Sequence, residues 1–347
     1  MKIAVFYPDA PRTAWSATHG IESTLRRMGH QVVPGRVPVD VANPAPHVFE
    51  AIKATFPSLE TLRGTDAVIL SGPEHIVPWL DPIYGLYEWK TIAAPKLAWY
   101  HESFFREDYT IDFDTLQAWS DEHFFPAIQD AEFHDQESFA KDRSHWLPLG
   151  VDTKIFRAIP WFEGDLVITK YGTVRKTWDI GFIGWMYEKR ARFLKALSQH
   201  NHPRVRIGGC SVTDLGGFQA EDTARRLADN YRRVGVFFNL PALSQLLVSK
   251  VYEVMSCGTF LLTPMLSADR GISKNMDPFE SGRHLVYYRS SNVPFVAQLL
   301  REWSSEEKAE EREKIAATGS AEVHKNHSLE KRLEVLLAKC GVKELVQ

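Results

Sequence analysis

Hydrophobic positions in the first half of the chain fall into short unbroken runs separated by longer stretches with helical spacing. The runs at 2–7, 31–33, 66–71, 96–101, 122–125 and 145–149 are mostly apolar throughout instead of alternating with polar residues. That pattern predicts parallel strands covered by helices on both faces. Between the first two runs, Ile21, Leu25 and Met28 share one face of a predicted helix over 18–28, which stops at Gly29. Strand–helix alternation of this kind defines an α/β fold.

The pattern breaks over 153–176, where Pro160, Gly164 and Gly172 are mixed with aromatics, and then resumes. Strands are expected at 178–183, 205–207, 234–240, 259–263 and 284–288, with helices at 188–198, 221–232 and 249–256. The reading is therefore of a first domain over 1–152, a passage over 153–176, a second domain over 177–320 and a C-terminal segment over 321–347. The charged stretch 306–314 reads as a solvated helix opened by a capping box of Ser304 and Glu307. Trp79, Tyr84, Tyr87 and Trp89 surround Pro78 and Pro82 in what reads as a long loop, either a satellite core or a platform for stacking on a sugar or base. Open parallel sheets bind ligands beyond the carboxyl ends of their strands. Function is thus expected in the post-strand loops and in a crevice between the two halves.

Composition narrows the classes. The 347 residues carry 41 Lys and Arg against 44 Asp and Glu, a net charge of −3, so no global positive field marks a nucleic-acid partner. Three widely spaced cysteines, Cys210, Cys257 and Cys340, argue against a disulfide framework or a thiolate metal site. The first apolar run is too short for a signal core, and no eighteen apolar residues are contiguous, so a cytoplasmic protein without a membrane span is expected. His200 with His202, and His324 with His327, have ligand-like spacings but no acidic or thiolate partners nearby in sequence, so no metal is expected.

Chemistry concentrates between Val236 and Thr263, which reads as buried strand, loop, short helix with a glycine stop, and buried strand. A helix start beside a strand end presents unpaired N–H groups. With Ser249 as N-cap, those of Lys250 and Val251 are placed to hold a diphosphate. Lys250 adds a point charge, and Glu253, one turn on, can accept the hydroxyl protons of a ribose. In the first half, His101 ends an apolar strand and is followed by Glu102.

This window resembles the C-terminal signature of retaining GT-B glycosyltransferases of the group 1 type, and especially their CgeB-like (spore maturation protein) branch. The family's E-x7-E motif is matched at its second position by Glu253 and carries Gln245 at the first; Lys250 and Asn239 match the branch. Three further segments agree. Leu147-Pro148-Leu149-Gly150-Val151-Asp152 with Phe156 is similar to the interdomain segment. Gly181-Phe182-Ile183-Gly184 with Glu188-Lys189-Arg190 resembles the glycine turn and basic helix start that contact donor phosphates, leaving either Lys189 or Arg190 as the ligand. Gly20 before a helix closing in Gly29-His30-Gln31-Val32 resembles the loop and helix of the N-terminal domain.

The resemblance implies two Rossmann-like domains with a cleft between them and a last helix, near 329–337, that packs back on the first. It implies retaining transfer of a sugar from a nucleotide sugar, a UDP-sugar in the first place, to a hydroxyl acceptor. The donor would be held by Gly184, Lys189 or Arg190, Asn239, Gln245, Ser249, Lys250 and Glu253. His101 or Glu102 would serve the chemistry, with Gly20, Trp79 and Tyr84 on the acceptor side and no metal or other cofactor. A glycan, a metabolite, a protein or modified DNA would qualify as acceptor. Arg12, Arg26, Arg27 and Arg36 are the sequence hint toward a DNA groove. The rival readings are a non-catalytic nucleotide-sugar sensor, favoured by Gln245 in place of an acid, and a sugar-nucleotide epimerase.

Overall fold

A computed structural model describes residues 1–9, 15–38, 46–101, 113–127, 131, 142–159, 178–184, 188–200, 221–240, 247–265, 278–289 and 292–341. The side chain of Lys189 is outside that set, as are Glu102, Gln245, Arg12, His202, Cys210 and the expected strand at 205–207. The chain divides into two compact units, Met1–Asp152 with Leu329–Gln347, and Thr153–Ser328.

The first unit contains β1 (Lys2–Pro8), a short 3₁₀ turn (Trp15–Ala17), α1 (His19–Arg27), β2 (Gln31–Val37), α2 (Pro46–Lys53), α3 (Leu59–Arg63), β3 (Ala67–Ser71), α4 (Pro73–Tyr84), α5 (Leu86–Lys90), β4 (Lys96–Trp99), α6 (Phe113–Gln117), β5 (Glu122–Phe125) and β6 (Ser144–Trp146). The six strands are all parallel, in the order β2-β1-β3-β4-β5-β6. Ile3 to Tyr7 and Ala67 to Leu70 are fully buried, as strands covered on both faces must be. The chain leaves β1 first toward β2 and later toward β3, so the carboxyl ends of β1 and β3 flank the topological switch point where such sheets take ligands.

The second unit contains β7 (Trp178–Gly181), α7 (Glu188–Ser198), α8 (Glu221–Arg232), β8 (Val234–Phe238), α9 (Ser249–Ser256), β9 (Phe260–Pro264), β10 (Val286–Tyr288), α10 (Val293–Ser304) and α11 (Ala309–Asn326). Its described strands form a parallel sheet, β10-β9-β8-β7. The core around Val236, Phe238, Phe260 and Leu262 is closed by Leu300 and Trp303 of α10.

Several expectations are corrected. The aromatic segment around Pro78 and Pro82 is the helix α4, opened by Gly72 at φ +77° and by Pro73 in its first turn. Burial of Ile76, Val77, Trp79 and Leu80 outweighs the backbone donors the two internal prolines remove. Trp79 stacks on Phe49 at 6.2 Å and Tyr84 donates to the Pro57 carbonyl at 2.6 Å, so both belong to the core of this unit, while Tyr87 is exposed. This packing favours the core reading of these rings over a stacking platform. Ser304 closes α10 and donates back to the Arg301 carbonyl, and Lys308 precedes α11, so the capping box does not form.

The boundary expected at 320 falls inside α11, and the units part at 328. Residues 153–159 of the expected passage belong to the second unit: Arg232 donates to the carbonyls of Arg157 at 2.7 Å and Ile155 at 3.1 Å, and the Ser256 hydroxyl donates to that of Phe156. The last helix, α12 (Leu329–Ala338), belongs to the first unit, with Arg332 donating to Leu149 and the Leu329 N–H to Val151. Asp152, fully buried, accepts from Trp15 Nε1 at 3.0 Å and Arg27 at 2.7 Å, and Arg27 lies 3.5 Å from Glu330 of α12. Among the described residues no helix is long and apolar enough to cross a membrane, and no cluster of three or more metal-ligating side chains occurs.

Candidate active site

In the second unit, the carboxyl end of β7 and the start of α9 supply one cluster. Phe182, buried at the end of β7, carries two cations against its ring: Lys250 Nζ lies 5.1 Å from the ring centroid and the Arg190 guanidinium 5.2 Å from it. Gly184 closes the turn beneath them. A Cβ there would lie 2.6 Å from Lys250 Nζ, 3.1 Å from Phe182 Cζ and 3.2 Å from Arg190 Nη1, so the residue must be small for both cations to converge. Arg190 is thus placed beside Lys250, while the side chain of Lys189 lies outside the described residues. Arg190 is anchored by its bond to the Leu240 carbonyl at the end of β8.

The helix start differs from the sequence reading by one residue. Val248, in extended conformation, precedes α9, and Ser249 is the first helical residue and caps nothing with its side chain. The Val251 N–H is spent on the Val248 carbonyl, so among the described residues the open donors of the first turn are those of Ser249 and Lys250. One turn on, Glu253 is 3% exposed; its Oε2 accepts from the Tyr231 hydroxyl at 3.2 Å and its Oε1 has no partner among the described residues.

Burial pushes the Glu253 carboxyl up to about 7, against the opposing effects of the Tyr231 bond and the Lys250 charge. Burial also pulls Lys250 down to about 7, helped by Arg190 and opposed by Glu253. Two cations held side by side in a desolvated turn repel each other until an anion arrives, and such perturbed groups concentrate at binding sites. The cluster can therefore neutralise a dianion at the helix N-terminus and accept hydroxyl protons one turn further along.

Asn239 follows β8 and is fixed on two sides. Its Nδ2 donates to Thr263 Oγ1 at 3.0 Å and its backbone carbonyl accepts from the Tyr288 hydroxyl at 2.9 Å. Its Oδ1 is buried without a partner among the described residues, an acceptor open to a ligand.

In the first unit, His101 lies just beyond the end of β4, two residues past the strand that was expected to include it. Its Nε2 is 2.9 Å from Ser71 Oγ, and the single Ser71 proton goes to the Ala17 carbonyl at 2.8 Å. Ser71 can only accept from the ring, so Nε2 carries the hydrogen. Burial pulls the imidazole pKa down to about 3, with His75 adding to the effect. A neutral ring with Nε2–H presents Nδ1 as a lone-pair acceptor, beside Gly72, where a Cβ would come within 3.3 Å. Through Ser71 the ring is pinned at the β1/β3 switch point.

Gly20 has a local reason to be glycine, since a Cβ would meet the Trp15 carbonyl at 2.7 Å. Of the arginines that hinted at a basic groove, Arg26 and Arg36 share Glu22 at 3.0 and 3.4 Å and Arg27 pairs with Asp152, while Arg12 lies outside the described residues. His324 is engaged with Ser256, and His327 packs on Tyr252 and Phe279. Phe182, Tyr231 and Ser71, which support these groups, were not singled out by sequence. Phe182 sits inside the quoted glycine turn, whereas Tyr231 and Ser71 carry no local signal.

Solved structures of the same architecture match essentially the whole chain. The crystal structure of Anabaena HepE in complex with UDP-glucose superposes with a TM-score of 0.67 at 12% identity, covering 99% of this chain and 100% of that one. Sucrose-phosphate synthase from Thermosynechococcus elongatus gives 0.60 at 12% identity and 99% of each chain. An alpha-glucosyltransferase in complex with UDP-glucose and DNA containing an abasic site gives 0.61 at 11% identity, over 98% and 100%. The fold is that of the GT-B glycosyltransferases, two Rossmann-like parallel-sheet domains. Residues 189–338 match a protein-family model described as glycosyl transferase-like, and this stretch contains Arg190, Lys250 and Glu253. The chain thus has the GT-B fold and, over this stretch, a likeness to glycosyl transferase-like proteins. No curated protein sequence matches the chain.

Proposed function

We propose that the protein is a retaining glycosyltransferase of the CgeB-like branch that moves a sugar from a UDP-sugar to a hydroxyl acceptor. The observation that carries this reading is the convergence of Lys250 and Arg190 on Gly184 at the start of α9, with the buried Glu253 one turn away. Arg190, Lys250 and the N–H groups of Ser249 and Lys250 hold the diphosphate. Glu253 accepts from the ribose, and Asn239 Oδ1 with Gln245 serves the donor sugar.

The fold relatives crystallised with UDP-glucose and with UDP support a uridine nucleotide. Departure of the nucleoside diphosphate builds negative charge on its leaving oxygen, and two fixed cations stabilise it in place of a divalent ion. Transfer is therefore expected to survive chelation.

Acceptor-side chemistry is assigned to the first unit. There the neutral His101 offers a lone pair that stabilises positive charge developing at the anomeric carbon. Glu102 is the alternative base toward the acceptor hydroxyl. The test is a panel of nucleotide sugars with and without EDTA, read as slow release of free sugar and nucleoside diphosphate. NMR of the sugar then fixes the anomeric outcome. Hydrolysis of a UDP-sugar with retention supports the reading; tight binding without turnover identifies a sensor. Glu253→Ala should raise the UDP-sugar Kd by about 10- to 100-fold, and an unchanged Kd removes the ribose role.

A further inference from the structure

Among the described residues the Glu253 carboxylate is gripped from one side only. Tyr231, one residue before the end of α8, is 1% exposed and rigidly packed, edge-on to Phe237 at 5.2 Å and tilted on Phe156 at 6.2 Å. Its backbone carbonyl accepts from the Thr259 hydroxyl at 2.8 Å, and its phenol donates to Glu253 Oε2. A buried carboxylate oxygen with no donor is costly unless a ligand supplies one, and Oε1 is such an atom. Among the described residues Lys250, on the same helix, is the charge that bears on it, with Arg190 beyond Lys250 and Cys257 beside Tyr231, while His324 of the packed α11 is turned to Ser256.

We infer that Tyr231 is a positioning residue for nucleotide binding: by occupying Oε2 it locks the Glu253 carboxylate so that Oε1 alone is presented to a ribose hydroxyl, an inference that rests on the donor reading above. The same bond favours the ionised carboxylate against its burial, so the phenol also sets the pH range in which the site accepts a hydroxyl proton.

The experiment is calorimetric titration of wild type, Tyr231→Phe, Glu253→Gln and Thr259→Val with UDP and with inorganic pyrophosphate, from pH 6 to 9. A thermal melt of each variant accompanies the titrations. Pyrophosphate reads the two cations without the ribose. In Tyr231→Phe the UDP Kd should rise about tenfold, the pyrophosphate Kd should stay within about twofold, and the pH below which UDP affinity falls should move upward. Thr259→Val, which loosens the same tyrosine without touching its hydroxyl, should keep the UDP-to-pyrophosphate ratio. Equal loss of both ligands in Tyr231→Phe, an unmoved pH profile, or the same fall in ratio in Thr259→Val overturns the assignment. If Glu253→Gln lowers the ratio and Tyr231→Phe does not, the positioning role fails and the donor reading stands. If Glu253→Gln leaves the ratio intact, the donor reading itself fails.

Discussion

Gly184→Ala tests the geometry of the phosphate site with a single methyl group. No left-handed φ is required at this position, so alanine fits the backbone, and the effect is confined to what the new Cβ meets. That atom would stand 2.6 Å from Lys250 Nζ, and the ammonium must withdraw by about 1 Å to reach ordinary van der Waals separation. A lysine tip gives way at little cost. The Phe182 ring at 3.1 Å is buried and does not, so a modest overpacking penalty of about 1 kcal/mol remains, a fall in Tm of about 2–4 °C.

Binding should suffer more than folding. Moving Lys250 off its mark forfeits one charge-assisted hydrogen bond, about 1.5–3 kcal/mol, which raises the Kd for UDP by about 10- to 150-fold. Titration calorimetry with UDP measures it, and a double-mutant cycle with Lys250→Met tests the route: the double variant should bind no worse than Lys250→Met alone. A UDP affinity within about twofold of wild type in a folded Gly184→Ala protein would refute the convergence argument, as would a fall in Tm beyond about 10 °C, which would make the glycine structural.

Two further outcomes are expected. Because burial holds the His101 pKa far below its unfolded value of about 6.5, the folded state binds fewer protons than the unfolded state as the solution acidifies. The associated stability is complete above about pH 6.5 and is lost as pH falls toward about 3. Melting curves of His101→Gln should lack that part of the acid limb, and the wild-type rate should show no imidazole inflection from this residue between about pH 5 and 8. Asp152→Ala leaves Arg27 and Trp15 Nε1 without their buried acceptor and should cost about 3 kcal/mol in guanidinium unfolding; a loss under about 0.5 kcal/mol would contradict the described bonding.

The strand framework was readable because two-sided burial leaves an unmistakable trace, as in Ile3-Ala4-Val5-Phe6-Tyr7. The helices 188–198, 221–232 and 249–256 were readable from their spacing. What failed was decided by tertiary packing. Pro78 and Pro82 argue locally against α4, and only the core beneath Trp79 and Leu80 explains why the helix persists. Ser249 looks like a cap, but Val248 turns the chain one residue earlier. Within the site, Gly184, Arg190, Lys250 and Glu253 were legible as motif positions, and the structure brings them together. Tyr231 and Ser71 were not, because a side chain that acts across 22 or 30 residues leaves no periodic mark in the sequence.

The chain closes its first unit with its last helix, and this sets an order of events during synthesis. Residues 153–328 can emerge from the ribosome and collapse as a complete body while the N-terminal sheet still waits for Leu329–Ala338. A stop codon just before residue 329 would therefore injure the earliest-made part of the molecule and leave the later-made part whole.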